Sequence, residues 1–116
     1  MTTSLETPGR TTIAPEVLET IARLTTLGVK GVSRMCTEPV SVSRLFHRGF
    51  SDGVRIDVQD DTVFTDLYII LDNDVNIRDV SRSVQHNVAR AISEMVGMQV
   101  GRINIHIEDI DYPEED

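Results

Sequence analysis

Three histidines and one cysteine are the first side chains to consider for metal binding or catalysis. His106 lies in the alternating run "GRINIHIEDI" (101–110), while His47 and His86 stand far from it in the chain. No two histidines have i, i+4 spacing and no second cysteine exists, so the spacing of a zinc site is absent. Alternation turns Ile105 and its apolar neighbours inward and His106 outward. We therefore interpret His106 as a solvated strand-face histidine.

Two further patterns are weaker than they look. Cys36 has no histidine or acid near it in sequence that would complete a nucleophile site. The run "DNDVN" (72–76) resembles the start of a calcium loop, but Ile77 stands where the loop needs glycine and Ser83 where it needs glutamate. The residues predict a turn and a helix cap at this point, with a weak surface calcium site at Asp72, Asp74 and Asn76 as the alternative. They predict no catalytic residue or cofactor site, and no metal ligand beyond that alternative.

The segment "RLFHRGF" (44–50) has a composition typical of protein interfaces, because arginine and aromatic side chains often dominate binding energy. The alternative is that its phenylalanines pack on the core while its arginines stay in water. The candidate interaction residues in this segment are Arg44, Phe46, His47, Arg48 and Phe50.

Two stretches have the spacing of amphipathic helices. Pro15 suits a first helical position and Gly28 is placed to end that helix. Asn76 is a good N-cap for a second helix that ends at Gly97, with Asp79 three residues after the cap. Apolar residues recur at helical spacing in the first helix at Val17, Leu18, Ile21, Leu24 and Leu27, and in the second at Val80, Val84, Val88, Ala91 and Met95.

Strand patterns fill most of the remaining chain. Residues 54–58 and 62–71 flank a tight turn and predict a hairpin. The second of these runs is apolar on both faces, which is typical of a central strand. Strands are also predicted at 29–35 and 100–110, and a short optional one at 10–13.

These elements predict a small α+β domain, with two helices packed on one face of a mainly antiparallel sheet in the order (β)-α-β-β-β-α-β. The last strand could instead run parallel to its neighbour. We expect a disordered lead at residues 1–9, the domain at 10–112 with a long basic loop at 36–52, and an acidic tail at 113–116.

Charge is unevenly distributed along a chain whose net charge is −8. Residues 30–55 carry a net charge of +3 and residues 56–116 one of −10. The basic segment could dock on an acidic neighbour or fold back on its own acidic half. The overall charge disfavours nucleic acid, yet RNA binding through this segment is the alternative function. The motif "GVKG" (28–31) matches an RNA-binding loop, but a strand follows it where that loop needs a helix.

The location is also predicted from composition. One cysteine suits a reducing compartment, and the N-terminus lacks the features of a secretory signal. No apolar run approaches the roughly 18 residues of a membrane span. We expect a cytoplasmic protein without direct membrane insertion.

Three stretches together resemble a known family. They are "IAPEVLETIARLTTLGVKGVSRM", "GVRIDV" and "NIRDVSRSVQHNVARAISEMVGMQVGRINIHIEDI", and "ISEMVGMQVGRINIHIEDI" is the most specific part. Their order and spacing resemble the alkaline shock proteins, also called Gls-type envelope stress response proteins. The resemblance covers about residues 10–110.

The resemblance implies a non-enzymatic cytoplasmic protein linked to the cell envelope. It implies self-association and binding to a membrane-anchored protein partner, which could hold the chain near the membrane, with no small-molecule substrate. The sheet face away from the helices would then carry Phe64, Tyr68 and His106, which we add to the candidate interaction residues.

Overall fold

A computed structural model describes residues 7–37 and 50–113 of the chain. The described residues form two helices and five strands in one sheet. In chain order the elements are α1 (Pro15–Leu27), β1 (Val32–Met35), β2 (Phe50–Ser51), β3 (Val54–Gln59), β4 (Thr62–Asp72), α2 (Ile77–Val96) and β5 (Gln99–Asp111).

Both helices begin and end at the predicted residues. Pro15 opens α1 after Ala14, whose extended backbone is the conformation favoured before proline. Asn76 caps α2 by accepting a 3.0 Å hydrogen bond from the backbone N–H of Asp79, so the turn and cap predicted there are confirmed. Gly97 ends α2 in the left-handed region at φ 78°, which glycine adopts without strain.

The central strand of the sheet is β4, as predicted. It pairs with β5 along one edge in the parallel direction. Its other edge is shared, since β3 pairs antiparallel with the first half of β4 and β1 pairs antiparallel with the second half. The short strand β2 extends the sheet beyond β3. The predicted α+β class is confirmed, and the open question about the last strand is answered by its parallel pairing.

Two-residue turns connect β2 to β3 and β3 to β4. The β3–β4 turn places Asp60 and Asp61 at φ 50° and 68°, and the β2–β3 turn places Asp52 and Gly53 at φ 50° and 84°. Positive φ at both central residues matches the right-handed twist of paired strands. The β2–β3 turn lies at the end of the predicted loop 36–52. Residues 38–49 of that loop lie outside the described residues.

The core lies between the helix layer and one face of the sheet. Leu18 and Ala22 of α1 pack there with alternate residues of β4 and with a stripe of α2. Buried core residues include Val54, Val63, Leu67, Ile69, Leu71, Val80, Val84, Val88 and Ile92.

Four local predictions differ from the structure. Residues 10–13 form no strand, because they run past the ends of the helices, where Thr11 and Ile13 line a groove with Val58. The strand predicted from residue 29 begins at Val32, since residues 28–31 are taken up by a turn. The predicted loop ends in β2, which pairs with β3. Met95 is 70% exposed, and the buried stripe of α2 continues through Ile92 instead.

Candidate functional site

Asp66 is the centre of a polar cluster on the outer face of the sheet, the face away from the helices. It lies on β4 between Arg55 of β3 and Asn104 of β5. Its Oδ1 accepts hydrogen bonds from Nδ2 of Asn104 at 3.1 Å and from Nε2 of His106 at 3.0 Å. A guanidinium nitrogen of Arg55 lies 3.8 Å from Oδ2. The cluster therefore links three neighbouring strands through one carboxylate.

His106 has two defined contacts in this cluster. Because an ionised carboxylate only accepts hydrogen bonds, the proton in the bond to Asp66 belongs to Nε2 of His106. The imidazole also stacks on the ring of Tyr68, with the ring centroids 4.4 Å apart and the planes 10° from parallel. The outward direction predicted for His106 agrees with the structure, but the side chain is ordered by partners and is only 36% exposed.

Tyr68 is the most enclosed polar side chain of the outer face, with 6% of its surface exposed. Burial raises the pKa of its phenol above the ordinary value, and the nearby charge of Asp66 raises it further. Ile70, on the same face, is 4% exposed. The apolar surface expected at this face is thus largely covered.

A second polar contact joins β1 to the end of β5. Arg34 donates from Nε to Oδ2 of Asp111 at 3.0 Å and from a terminal nitrogen to Oδ1 at 3.2 Å, and Ser33 donates to the same carboxylate. The hydrogen bond from Arg34 lowers the pKa of Asp111, and the one from Ser33 adds to this effect. The carboxylate in turn raises the pKa of Arg34.

These contacts bear on the uneven charge of the sequence. Arg34 and Arg55 of the basic segment both meet carboxylates of the acidic half, at Asp111 and Asp66. Within the described residues, the basic segment therefore folds back on its own acidic half at these two positions. Lys30 is exposed.

The predicted interaction residues have different outcomes. Arg44, Phe46, His47 and Arg48 lie outside the described residues, and Phe50 begins β2. Phe64 is half-buried and packs over Gly101, where an added Cβ would clash with the ring. Tyr68 and His106 are brought together. Their role in interaction remains a prediction.

A cationic groove lies between α2 and β5. It has a volume of about 450 Å³ and is lined by Arg82, Gln85, His86, Ala89, Gly101, Arg102 and Ile103. Gln85 closes one side by donating to the backbone oxygen of Ile103 at 3.0 Å. No carboxylate lines this groove among the residues described, which is unusual on a chain with a net charge of −8.

The outward face of α1 is the surface that the sequence analysis missed. We define it by Val17, Leu24 and Leu27. These side chains are 46%, 60% and 41% exposed, respectively. The opposite side of the helix is buried through Leu18, Ala22 and Thr26. The signal was present in the sequence, since one helix 13 residues long carries two apolar stripes, whereas one core can bury only one.

Within residues 7–37 and 50–113, no group of three or more histidine, cysteine, aspartate or glutamate side chains could hold a metal ion. Neither helix in that part of the chain is long and apolar enough to cross a membrane.

The fold defines a small α+β domain with one helix layer on a mixed sheet. The sequence of residues 4–112 matches the alkaline shock protein 23 family, which is described as having a cell envelope-related function. The chain belongs to this family, so the resemblance seen in the sequence is confirmed.

Two bacterial relatives are similar over most of their length. The chain is 34% identical to the uncharacterized protein YqhY of Bacillus subtilis (strain 168) over 106 residues, which cover 90% of this chain and 78% of that protein. It is 32% identical to the uncharacterized protein Spy1535 of Streptococcus pyogenes serotype M6 over 104 residues, which cover 88% of this chain and 79% of that protein. No solved structure matches the chain.

Proposed function

We propose that this chain is a non-enzymatic interaction protein of the cell envelope that associates with itself and binds an envelope-associated protein partner. The observation that carries the proposal is the outward face of α1. Three apolar side chains there point away from the core, and an exposed apolar patch with polar surroundings is typical of a binding surface. Membership of a family with a cell envelope-related function supports the location of the partner.

The self-association part is tested by light scattering coupled to size exclusion over a wide range of protein concentration. We expect the mass to rise with concentration. The double variant Phe46→Ala/Phe50→Ala tests whether segment 44–50 is the contact. A mass that stays at one chain throughout would reject self-association, whichever surface is considered.

The partner is tested by co-sedimentation with membranes of the bacterium that encodes the protein. We expect binding to intact membranes, loss of binding after protease treatment of those membranes, and no binding to vesicles made from their extracted lipids. Binding to the lipid vesicles themselves would contradict a protein partner.

RNA binding is the alternative function, and the cationic groove between α2 and β5 is the observation that favours it. Arg82, His86 and Arg102 line this groove, and none of its described lining residues is an acid. The alternative predicts that labelled RNA is retained at low salt and released as salt rises. Arg82→Ala/Arg102→Ala should then abolish retention, while the same experiment with Arg34→Ala tests the basic segment. No retention at low salt would reject the alternative.

A further inference from the structure

We propose that the outer edge of β5 and the cationic groove beside it bind an extended acidic segment of the envelope-associated protein partner. The inference rests on the protein partner in the proposed function, and it adds the surface, the backbone conformation and the charge of the bound segment. Two independent features of the described residues support it. One is the row of backbone groups along a strand edge, and the other is the set of basic side chains next to that edge.

The outer edge of β5 offers backbone groups to a further strand. β5 pairs with β4 along one edge, and its other edge pairs with no strand within residues 7–37 and 50–113. The ladder to β4 is regular from Ile103 to Ile107, between two irregularities. A regular edge without a neighbour is a template for an added strand, because a second backbone can satisfy its N–H and C=O groups in register.

One hydrogen bond shows which backbone groups point to this edge. Gln85 of α2 donates to the backbone oxygen of Ile103 at 3.0 Å, so this carbonyl points towards the edge beside α2. In a strand paired in the parallel direction, alternate residues direct their backbone groups to the same edge. We therefore infer that Ile105 and Ile107 direct their N–H groups to the outer edge, whereas His106 directs its own towards β4.

The cationic groove lies beside this edge, because α2 packs against β5 while α1 packs against β1 and β3. Arg82, His86 and Arg102 line the groove and are exposed. None of these three side chains forms an ion pair within the described residues, whereas Arg90 of the same helix lies 3.1 Å from a carboxylate oxygen of Glu94. An acidic segment would supply the charges that the groove lacks.

The spacing along α2 fits the spacing along a strand. Arg82 and His86 are four residues apart, which is about 6 Å along the helix axis. Alternate side chains on one face of a strand are about 6.7 Å apart. A segment with an acid at every second position therefore presents successive carboxylates to Arg82 and His86. Glutamate suits these positions, because its aliphatic stem can cover the half-buried side chains of Ile105 and Ile107.

The same observations favour a protein segment over RNA or an anionic membrane. Only a peptide backbone pairs in register with the N–H and C=O groups of a strand edge. In addition, a chain with a net charge of −8 repels an extended polyanion along its whole surface, whereas a short segment meets mainly the local charges of the groove.

The first experiment measures binding of a labelled peptide in which glutamate and threonine alternate, by fluorescence anisotropy. The control peptide has the same residues with all glutamates grouped at one end. We expect the wild type to bind the alternating peptide more tightly than the grouped one. Equal binding of the two peptides, or no binding of either, would overturn the inference.

Matched arginine variants locate the site of this binding. Arg82→Gln/Arg102→Gln should weaken binding of the alternating peptide by about fivefold or more, because two charged contacts are lost. Arg90→Gln should leave it unchanged, since Arg90 is exposed on the same helix but does not line the groove. Both groove arginines are exposed, so the urea midpoint of the double variant should stay close to that of the wild type. Equal binding by the double variant and the wild type would show that the groove is not the site.

The second experiment uses hydrogen exchange to test whether the segment joins the sheet. The alternating peptide should slow exchange of the Ile105 and Ile107 amides and leave that of His106 unchanged. Binding without this protection would reject strand addition. Protection of both amides in the free protein would show that another segment of the chain already covers the edge. Poly-uridine RNA or anionic lipid vesicles that displace the peptide at low concentration would show that the groove binds phosphate groups instead.

Co-sedimentation with membranes separates this inference from the proposed function. If membranes retain the wild type and Arg82→Gln/Arg102→Gln equally, the protein partner stands and the site is wrong. If membranes retain neither protein while the peptide results are as expected, the strand site stands and the envelope partner of the proposed function is rejected.

Discussion

Asp66 shows at the residue scale how a single carboxylate can organise one face of a sheet. Its two oxygens meet side chains from β3 and β5, so the polar groups of three strands share one acceptor. His106 and Tyr68 then pack ring against ring beside it. The histidine that first suggested chemistry has a structural partner in this arrangement.

Removing this carboxylate should destabilise the fold. Asp66→Ala leaves the donors of Asn104 and His106 without their acceptor on a partly buried face, so we expect a loss of about 1–2 kcal/mol in the free energy of unfolding. Asp57→Ala is the matched control, because Asp57 lies on the same face and accepts an exposed hydrogen bond from Gln59 two residues away. Urea unfolding measures both. Equal losses would show that Asp66 has no special role.

The contact between Arg34 and Asp111 predicts a dependence of stability on pH. Since the folded pKa of Asp111 is lowered, its contribution is present above the ordinary carboxyl pKa near 4 and is lost as pH falls through the folded value. Arg34→Gln should therefore lower the urea midpoint at pH 7, with the difference from wild type shrinking towards pH 3.

The control for this titration is Arg82→Gln. Arg82 lines a groove that has no carboxylate in the described part of the chain. The urea midpoint of Arg82→Gln should therefore differ from that of the wild type by the same small amount at pH 7 and near pH 3. A difference for Arg34→Gln that does not change with pH would show that the pair acts only through packing.

At the element scale, two buried threonines give opposite expectations for the same substitution. Thr26 of α1 donates from Oγ1 to the backbone oxygen of Ala22 at 2.7 Å. Thr65 of β4 is 1% exposed, and its Oγ1 has no hydrogen-bond partner among the described residues. A strand that faces an apolar core offers no nearby free acceptor, whereas a helix offers the carbonyl four residues back.

Replacing each threonine with valine tests this difference, because valine keeps the branched shape and removes the hydroxyl. Thr65→Val should raise the free energy of unfolding by about 1 kcal/mol, since an unpaired polar group no longer has to be buried. Thr26→Val should not stabilise the protein, because it loses a made hydrogen bond. Thermal or urea unfolding gives both values. A destabilised Thr65→Val would contradict this interpretation.

At the scale of the whole molecule, β4 is the element on which the others depend. It pairs along both edges, and its core-facing residues Leu67, Ile69 and Leu71 are fully buried. We expect its amides to exchange with deuterium more slowly than those of any other element in the described residues, because they open only when the whole domain unfolds. Native-state exchange checks this. Faster exchange in β4 than in α2 would show that the helix layer is the more stable unit.

Local signals in the sequence were enough for the ends of both helices. Pro15, Asn76 and Gly97 mark helix ends because proline geometry, side-chain capping and left-handed glycine act within a few residues. The apolar character of both faces of β4 was enough to predict its central place. The Asp52–Gly53 pair also signalled a hairpin, which we did not predict although this dipeptide is typical of such turns.

Family membership could also be predicted from the sequence. The order of the apolar positions along the chain indicates the family without any knowledge of contacts. The match over residues 4–112 confirms this membership.

The assembly of the outer face could not be predicted in this way. Asp66 and His106 meet only because β5 lies parallel beside β4, and alternation along one strand does not reveal which strand will be its neighbour. That choice depends on the total free energy of packing α2, which connects the two strands, against the face of the sheet. It is a property of the whole domain rather than of either segment.

The same reason applies to α1. Periodicity showed a helix with apolar residues on two sides, and both stripes satisfy the local rule. Only the position of the helix over the sheet decided that Leu18 and Ala22 are buried while Val17 and Leu24 face outward. Local patterns in the sequence were enough to predict both helices, the four longer strands and the family. The tertiary structure decided which of their faces remain free to bind, because burial depends on what each element packs against.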